Sequence, residues 1–372
     1  MRVIIERAAL LKSLNHVQSV VERRNTIPIL SNVLIQADSG LIRLTATDLD
    51  LEIVEGVSAD VGQSGATTVP AHMMYDIVRK LPDGAQLELV QGPDEGRLSV
   101  MSGRSRFMLQ ALPPQDFPDL TAGELTHTFE IPAKELKALI DSTRFAVSTE
   151  ETRYYLNGIY LHDVETGPAP VLRAVATDGH RLAQAQVACP EGAAGMPGVI
   201  IPRKAVLELV KLVEDAEAPV EVALSSAKIR FALDGVVMTS KLIDGTFPDY
   251  ERVIPKNNDR IMEVDTRLFS QAVDRVSTIS SEKGRAVKLN IGQDKLVLSV
   301  NNPDSGSAEE EIAVGYASEP MDIGFNSRYL LDITGQLKGD SATFELADSN
   351  SPTVIRDPAD ERALFVLMPM RV

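Results

Sequence analysis

Three stretches of the chain carry apolar residues at helical spacing, each with polar residues on the other side. In the first, Leu10, Leu14, Val17 and Val21 form a stripe three or four residues apart, with Lys12, His16, Ser19 and Arg23 opposite. In the second, Leu136, Leu139, Ile140, Thr143 and Val147 face inward, while Lys134, Lys137, Asp141, Arg144 and Ser148 face out. In the third, Leu268, Ala272, Val276 and Ile279 are the expected buried side, with Arg267, Gln271, Asp274, Arg275 and Thr278 exposed. Further helices are predicted to open at Val69-Pro70-Ala71, Ile201-Pro202-Arg203 and Phe325-Asn326-Ser327. Between them lie strand patterns such as Val171–Val175, Leu296–Val300 and Thr343–Leu346, punctuated by Asp83-Gly84, Asp234-Gly235 and Asp244-Gly245 turns. Two helices against antiparallel sheet, in each part of the chain, predict an α+β fold.

The pattern repeats. Ala46-Thr47-Asp48-Leu49 returns as Ala176-Thr177-Asp178-Gly179, and Phe117-Pro118-Asp119-Leu120 as Phe247-Pro248-Asp249-Tyr250, each roughly 130 residues later. A fainter third copy begins at Arg260–Val264, like His127–Ile131, and places Asn301-Asn302-Pro303 where the others have Thr-Asp turns. Three similar domains are therefore expected: 1–122, 127–255 and 256–372, with joints near Thr121–Leu125 and Pro255–Asp259.

Composition narrows the chemistry. Of 372 residues, 44 % are hydrophobic and 24 % charged, as in ordinary folded proteins. The single cysteine, Cys189, excludes an internal disulfide and any multi-cysteine metal site. Residues Met1–Arg7 hold no apolar signal segment, and no run is long enough to span a bilayer, so no membrane association and a cytoplasmic location are expected. Asp178-Gly179-His180 sets a carboxylate beside an imidazole, yet no nucleophile stands at a recognisable elbow, and neither a phosphate-binding loop nor His-Glu-x-x-His occurs. No catalytic residue, metal site or cofactor is expected.

The net charge of −16 weighs against a tight grip on nucleic acid. Its distribution changes that picture. Basic residues gather on the helices: Arg79 and Lys80, Lys137, Arg203, Lys204 and Lys211, Arg328 and Lys338. Acidic runs fall elsewhere, at 214–217, Glu309–Glu311 and Asp360-Glu361. Helices lining one surface would leave the protein acidic outside and basic inside, able to hold duplex DNA loosely through its phosphates. A scaffold that never touches DNA is the competing reading, and the basic helix faces weigh against it.

Several stretches resemble the bacterial DNA polymerase III beta subunits, the sliding clamps. They include Thr26–Leu30, Ser102–Phe107, Arg153–Gly158, Thr177–Leu182, Ser240–Gly245, Phe247–Tyr250 and Met368–Arg371, and the resemblance spans essentially the whole chain. It implies a head-to-tail homodimer closed into a ring, helices lining the hole and sheets forming the wall. It also implies partners: double-stranded DNA read without sequence preference, the polymerase III alpha subunit, the clamp loader, and other polymerases and repair proteins carrying clamp-binding peptides.

The same resemblance assigns roles to residues. Arg24, Tyr154 and Tyr155 would touch DNA, joined by the basic helix positions Arg79, Lys137, Arg203 and Lys204. Some relatives carry a Gln before the tyrosine pair; here the stretch is Ser148-Thr149-Glu150-Glu151, so that contact is not carried over. A peptide pocket would be formed by Leu156, Thr177, Gly179, His180, Arg181, Leu182, Pro248, Arg252, Val253, Val366, Leu367, Met368, Pro369, Met370 and Arg371. Aliphatic and Met side chains would supply an adaptable groove and Arg181, Arg252 and His180 its polar edges. Pro352 and Val372 depart from commoner Ser and Leu. Phe107 and Leu109 in domain one would meet the region of Ile279 in domain three of the second chain, where Thr278 replaces an aliphatic residue.

Overall fold

A computed structural model describes residues 1–92, 96–120, 123–165, 167, 169–214, 216–281 and 285–372. The expected joint at Thr121-Ala122 and Asp215 of one acidic run lie outside the described residues. The described residues form six α-helices: α1 (Arg7–Gln18), α2 (Ala71–Lys80), α3 (Ala133–Arg144), α4 (Arg203–Val213), α5 (Thr266–Ser277) and α6 (Ser327–Thr334). None is long and apolar enough to cross a membrane.

The chain divides into two compact units. The first comprises Met1–Lys137, Pro190–Pro197 and Lys204–Leu242. It holds a five-stranded sheet in the order Asp60–Gln63, Arg2–Glu6, Gln86–Gln91, Arg97–Ser102, Ser105–Gln110. An eight-stranded sheet runs His127–Ile131, Val220–Leu224, Lys228–Leu233, Val236–Lys241, Leu51–Ser58, Leu41–Thr47, Asn32–Asp38, Gly65–Pro70. Its middle joint is antiparallel, with Met238 opposite Ile53. Strands of the first and second sequence copies thus share one sheet.

The second unit comprises Ala138–Cys189, Gly198–Arg203 and Ile243–Val372. Its nine-stranded sheet runs Val199–Pro202, Gly158–Val164, Val171–Thr177, Arg181–Ala188, Asp360–Leu367, Thr353–Asp357, Ser341–Leu346, Arg260–Asp265, Gly315–Tyr316. Here Leu182 faces Val366 where the second copy joins the third. A four-stranded sheet adds Gly306–Ala313, Lys295–Asn302, Ala286–Gly292 and Met321–Asn326.

The helices bury the stripes that their spacing predicts, with instructive exceptions. Leu10, Leu14 and Val17 of α1 are buried, as are Met74 and Val78 of α2. Yet the expected solvent face of α1 is not free: His16 bonds to the buried Glu55 at 2.8 Å, as does the buried Ser13 beside that face, and Ser19 bonds to Glu208. Ser148, expected outside, is buried and donates its backbone N–H to the Leu156 carbonyl. In α5 the buried set is Thr266, Phe269, Ala272, Val273 and Val276, whereas Leu268 is 53 % exposed. The Asp265 carboxylate caps the Leu268 N–H, Ala272 and Val276 are buried as predicted, and Phe269 rather than Leu268 fills the first turn of the buried face. Lys338 lies beyond α6 and pairs with Asp360 at 3.1 Å.

The repeated Thr-Asp signal corresponds to one turn built twice. Thr47 accepts from the Leu49 N–H at 3.0 Å, and Asp48 from the N–H groups of Asp50 and Leu51. Thr177 accepts from Gly179 at 3.1 Å, and Asp178 from His180 and Arg181. The side chains mimic a backbone turn, forcing positive φ on the third residue, +79° at Leu49 and +88° at Gly179. Asn302 in the third copy likewise accepts from Asp304.

Candidate peptide pocket

In the second unit, the turn after Thr177, the 3-10 segment Glu151–Leu156, the segment Pro248–Val253 and the strand ending at Leu367 surround a cavity of about 340 Å³. Its floor is the top of a packed core. Leu156, Leu182, Tyr250 and Val366 line it from a buried cluster that also holds Val175, Ile200, Phe247 and Val354. That cluster is braced by Tyr160 stacked on Phe247 at 4.8 Å between ring centres. A floor made of close-packed side chains is rigid, so a ligand finds the groove preformed. Val253 and Met368 stand exposed at the rim.

The rim is strapped by the backbone. Met368 donates its N–H to the His180 carbonyl at 2.9 Å, and Met370 to the Gly324 carbonyl at 2.7 Å. A Cβ on Gly324 would collide with Val372 and with the Met370 carbonyl, so the glycine lets the last residues lie flat.

Arg181 lines the cavity but is not a free edge. Its guanidinium donates to Asp178 at 3.2 Å, to Asp332 at 2.6 Å and to the Phe145 carbonyl at 2.6 Å. It also lies over the Tyr329 ring at 4.2 Å. With 9 % of its surface exposed it is a clamp between elements rather than a ligand donor. Arg252, paired with Asp249 at 2.6 Å, does not line the cavity, whereas His180 lines it and is exposed.

Below the floor, Tyr250 and His162 form a buried polar pair. Burial, with Arg173 adding to it, pushes His162 down to about 4, so the imidazole is neutral near pH 7. The Tyr250 hydroxyl then donates to His162 Nε2 at 3.0 Å and accepts from Arg173 at 3.0 Å. This fixes the ring that forms one wall.

Ten of the fifteen residues expected at the pocket do line it: Leu156, Thr177, Gly179, His180, Arg181, Leu182, Pro248, Val253, Val366 and Met368. Leu367 is buried on the opposite side of its strand, because side chains alternate. Arg252, Pro369, Met370 and Arg371 do not line the cavity. Arg153, Tyr155, Asp249 and Tyr250 do, and sequence reasoning assigned none of them there. Arg153 donates to Glu150 and, at 2.9 Å, to the Asp178 carbonyl. Its spacing from Glu150, three residues along a tight turn, was the available signal.

The residues expected at DNA are mostly exposed. Arg24, Arg79 and Arg203 are on the surface, and Tyr154 is 53 % exposed while Tyr155 turns toward the cavity. Lys137 is half-buried. Lys204 is different. Its ammonium is held by Asp48, by Glu22 at 3.4 Å and by the Val20 carbonyl at 3.2 Å, so its charge is largely cancelled. At the expected ring contact, Leu109 is only 4 % exposed, facing the chain's own core opposite Leu98, while Phe107 and Ile279 are half-buried. Among the described residues, no group of three or more His, Cys, Asp or Glu could hold a metal.

Family models of the DNA polymerase III beta subunit match almost the whole chain: the N-terminal domain over residues 1–121, the central domain over 130–249 and the C-terminal domain over 251–371. The chain belongs to the bacterial beta sliding clamp family. The beta sliding clamp of Caulobacter vibrioides is 53 % identical over 372 residues, covering 100 % of both chains. That of Escherichia coli K12 is 42 % identical over 375 residues, again covering 100 % of both. Among solved structures, a Bartonella birtlesii sliding clamp bound to griselimycin matches with TM-score 0.97 and 57 % identity, covering 100 % of each chain. A Caulobacter crescentus clamp with polyethylene glycol at its putative beta-motif tethering region matches with TM-score 0.98 and 53 % identity, covering 100 % of this chain and 99 % of that one. As a sliding clamp, the molecule is a non-catalytic processivity subunit of DNA polymerase III, working with DNA and with polymerases.

Proposed function

We propose that two copies of this chain close head to tail into a ring around duplex DNA in the bacterial cytoplasm. Replicative and repair polymerases, and the loader that places the ring, are tethered through the 340 Å³ cavity. That cavity carries the reading: an apolar, preformed floor with one open imidazole suits a short peptide with Gln at one end and Leu or Phe at the other. An affinity near micromolar, about −8 kcal/mol, would let partners exchange. The three-copy division at 1–122, 127–255 and 256–372 is supported by the spans of the three family models.

Within the ring, Arg24, Tyr154, Arg79, Lys137 and Arg203 are the DNA-facing groups, with Tyr155 shared with the pocket. Lys204 acts chiefly as an internal tie. Phe107 and Ile279 supply apolar surface to the contact between copies. Topology retains the DNA, so an acidic protein needs only weak phosphate contacts to slide.

Retention tests this. Loaded on a nicked circle, the protein should stay bound and should run off after linearisation. Equal loss from both forms would rule out encirclement. Separately, a peptide carrying a clamp-binding sequence should block polymerase stimulation, and its failure to bind would empty the pocket assignment.

A further inference from the structure

One wall of the peptide pocket is a strap of chain without a hydrogen-bonded ladder. Pro248, Asp249, Tyr250 and Val253 line the cavity, and all four belong to the stretch 244–257. That stretch is anchored at its two ends. Ile243 donates its N–H to the Ile200 carbonyl at 3.0 Å, and the Asn258 side chain donates to the carbonyls of Glu345 at 2.8 Å and Pro352 at 2.9 Å. Between the anchors lies a single 3-10 turn, Tyr250–Val253, and among the described residues no backbone hydrogen bond joins 244–257 to a strand. Phe247 and Tyr250 are its buried side chains. A segment with so few buried contacts and no ladder opens easily, so its position has to come from side chains.

Three neighbouring strands supply them. The register sets His162 opposite Arg173 and Arg173 opposite Gln186, so the three side chains stand in a row on one face of the sheet. The Gln186 side-chain oxygen accepts from Arg173 Nε at 3.1 Å and from Nη2 at 3.0 Å, which holds the guanidinium to the sheet. Nη1 is left for the strap. It donates to the Tyr250 hydroxyl at 3.0 Å and to the Glu251 carboxylate at 3.2 Å. His162 accepts from the same hydroxyl at 3.0 Å. Among the described residues, no other hydrogen bond or ion pair runs from the sheet to 244–257. The Arg173 side chain is only 14 % exposed, so these bonds are shielded from competing water.

We propose that Arg173 is a positioning residue for partner binding: it pins the strap that forms one wall of the pocket, and so sets the affinity for a peptide it does not touch. Arg173 does not line the cavity; it acts through Tyr250 and Glu251. A planar fork suits this task, because one edge can grip Gln186 while the other nitrogen reaches two neighbours on the strap. The proposal rests on the reading that the cavity takes a partner's peptide.

The test uses the full-length protein and a labelled synthetic pentapeptide with Gln first and Leu-Phe last. Fluorescence anisotropy reads its affinity, and hydrogen–deuterium exchange reads the strap in the peptide-free protein. Arg173→Met should weaken binding about tenfold and speed exchange within 244–257, while the strands Val171–Thr177 and Arg181–Ala188 exchange as in the wild type. Arg173→Lys should recover part of the affinity, since an ammonium reaches one anchor but cannot keep the fork. Tyr250→Phe combined with Glu251→Gln keeps the arginine and the ring but removes both anchors, and should reproduce the loss seen in Arg173→Met. Wild-type affinity in Arg173→Met would overturn the proposal. So would weaker binding with no change of exchange in the strap. Should Arg173→Met loosen the whole sheet, the double variant decides, and wild-type affinity there would overturn the pin. A wild-type protein that does not bind the peptide would instead sink the pocket reading, and the role of Arg173 in binding with it.

Discussion

Gly179 and Arg153 compete for one space: a Cβ on residue 179 would stand 2.5 Å from Arg153 Nη1. The same guanidinium bonds to the Asp178 carbonyl, so the turn and the 3-10 segment on two sides of the peptide pocket lock together. Gly179→Ala combines that collision with an unfavourable positive φ. It should lower Tm and weaken peptide binding about tenfold, or about 1.4 kcal/mol. Adding Arg153→Ala should restore part of the binding, measured by calorimetric titration. Wild-type binding by Gly179→Ala alone would show that Arg153 has room to move.

Arg181 neutralises Asp178 and Asp332 in a largely buried setting. Arg181→Leu leaves two carboxylates near each other without their cation. A loss of about 3 kcal/mol in urea unfolding is expected. Asp332→Asn should cost less, because that carboxyl is about one-third exposed. Arg181→Lys should recover only part, since an ammonium cannot reach three acceptors and lie flat over Tyr329.

His162 makes stability depend on acidity. Its folded value is about 4 against 6.5 for the free side chain, so between these the unfolded chain binds the extra proton. Its contribution is therefore intact above about pH 6.5 and is lost progressively as pH falls towards 4. Thermal melts of His162→Gln should show a shallower decline across that window than the wild type. Parallel curves would place the acid sensitivity elsewhere.

Lys204 offers a contrast with Arg24. Its ammonium is occupied by Asp48 and Glu22, whereas Arg24 is exposed. Lys204→Met should lower stability by about 1 kcal/mol while leaving the salt slope of DNA binding nearly unchanged. Arg24→Ala should do the reverse. A large fall in slope for Lys204→Met would return that residue to the DNA surface.

Deleting Met368–Val372 removes the bonds to His180 and Gly324 together with one rim of the cavity. Polymerase stimulation should vanish while sedimentation still reports the dimer. Stimulation that survives the deletion would place the binding site elsewhere.

Much of this was readable from local chemistry. The Thr-Asp turns were visible because one hydroxyl and one carboxylate suffice to build them, and the helices because their apolar spacing is regular. Leu268 was misplaced because its neighbour Phe269, larger and fully buried, takes the core position on the same face as Ala272 and Val276. Leu109 and Leu367 were drawn to surfaces by their neighbours, although strand alternation turns both inward. Arg181 and Lys204 looked like free positive charge, because Asp332, which holds Arg181 together with the nearby Asp178, and Asp48, which holds Lys204, lie 151 and 156 positions away in the sequence. Arg153 was legible only in its local pair with Glu150; its bond to the Asp178 carbonyl, 25 positions away, was not.

The two long sheets cross the seams between sequence copies, at Val236–Lys241 with Leu51–Ser58 and at Arg181–Ala188 with Asp360–Leu367. The unit of repetition is thus not the unit of melting. A fragment cut to the central family-model span, 130–249, would carry two raw strand edges, each primed to stick to whatever chain it met. Pulled from its ends, the intact chain should give way in two steps rather than three.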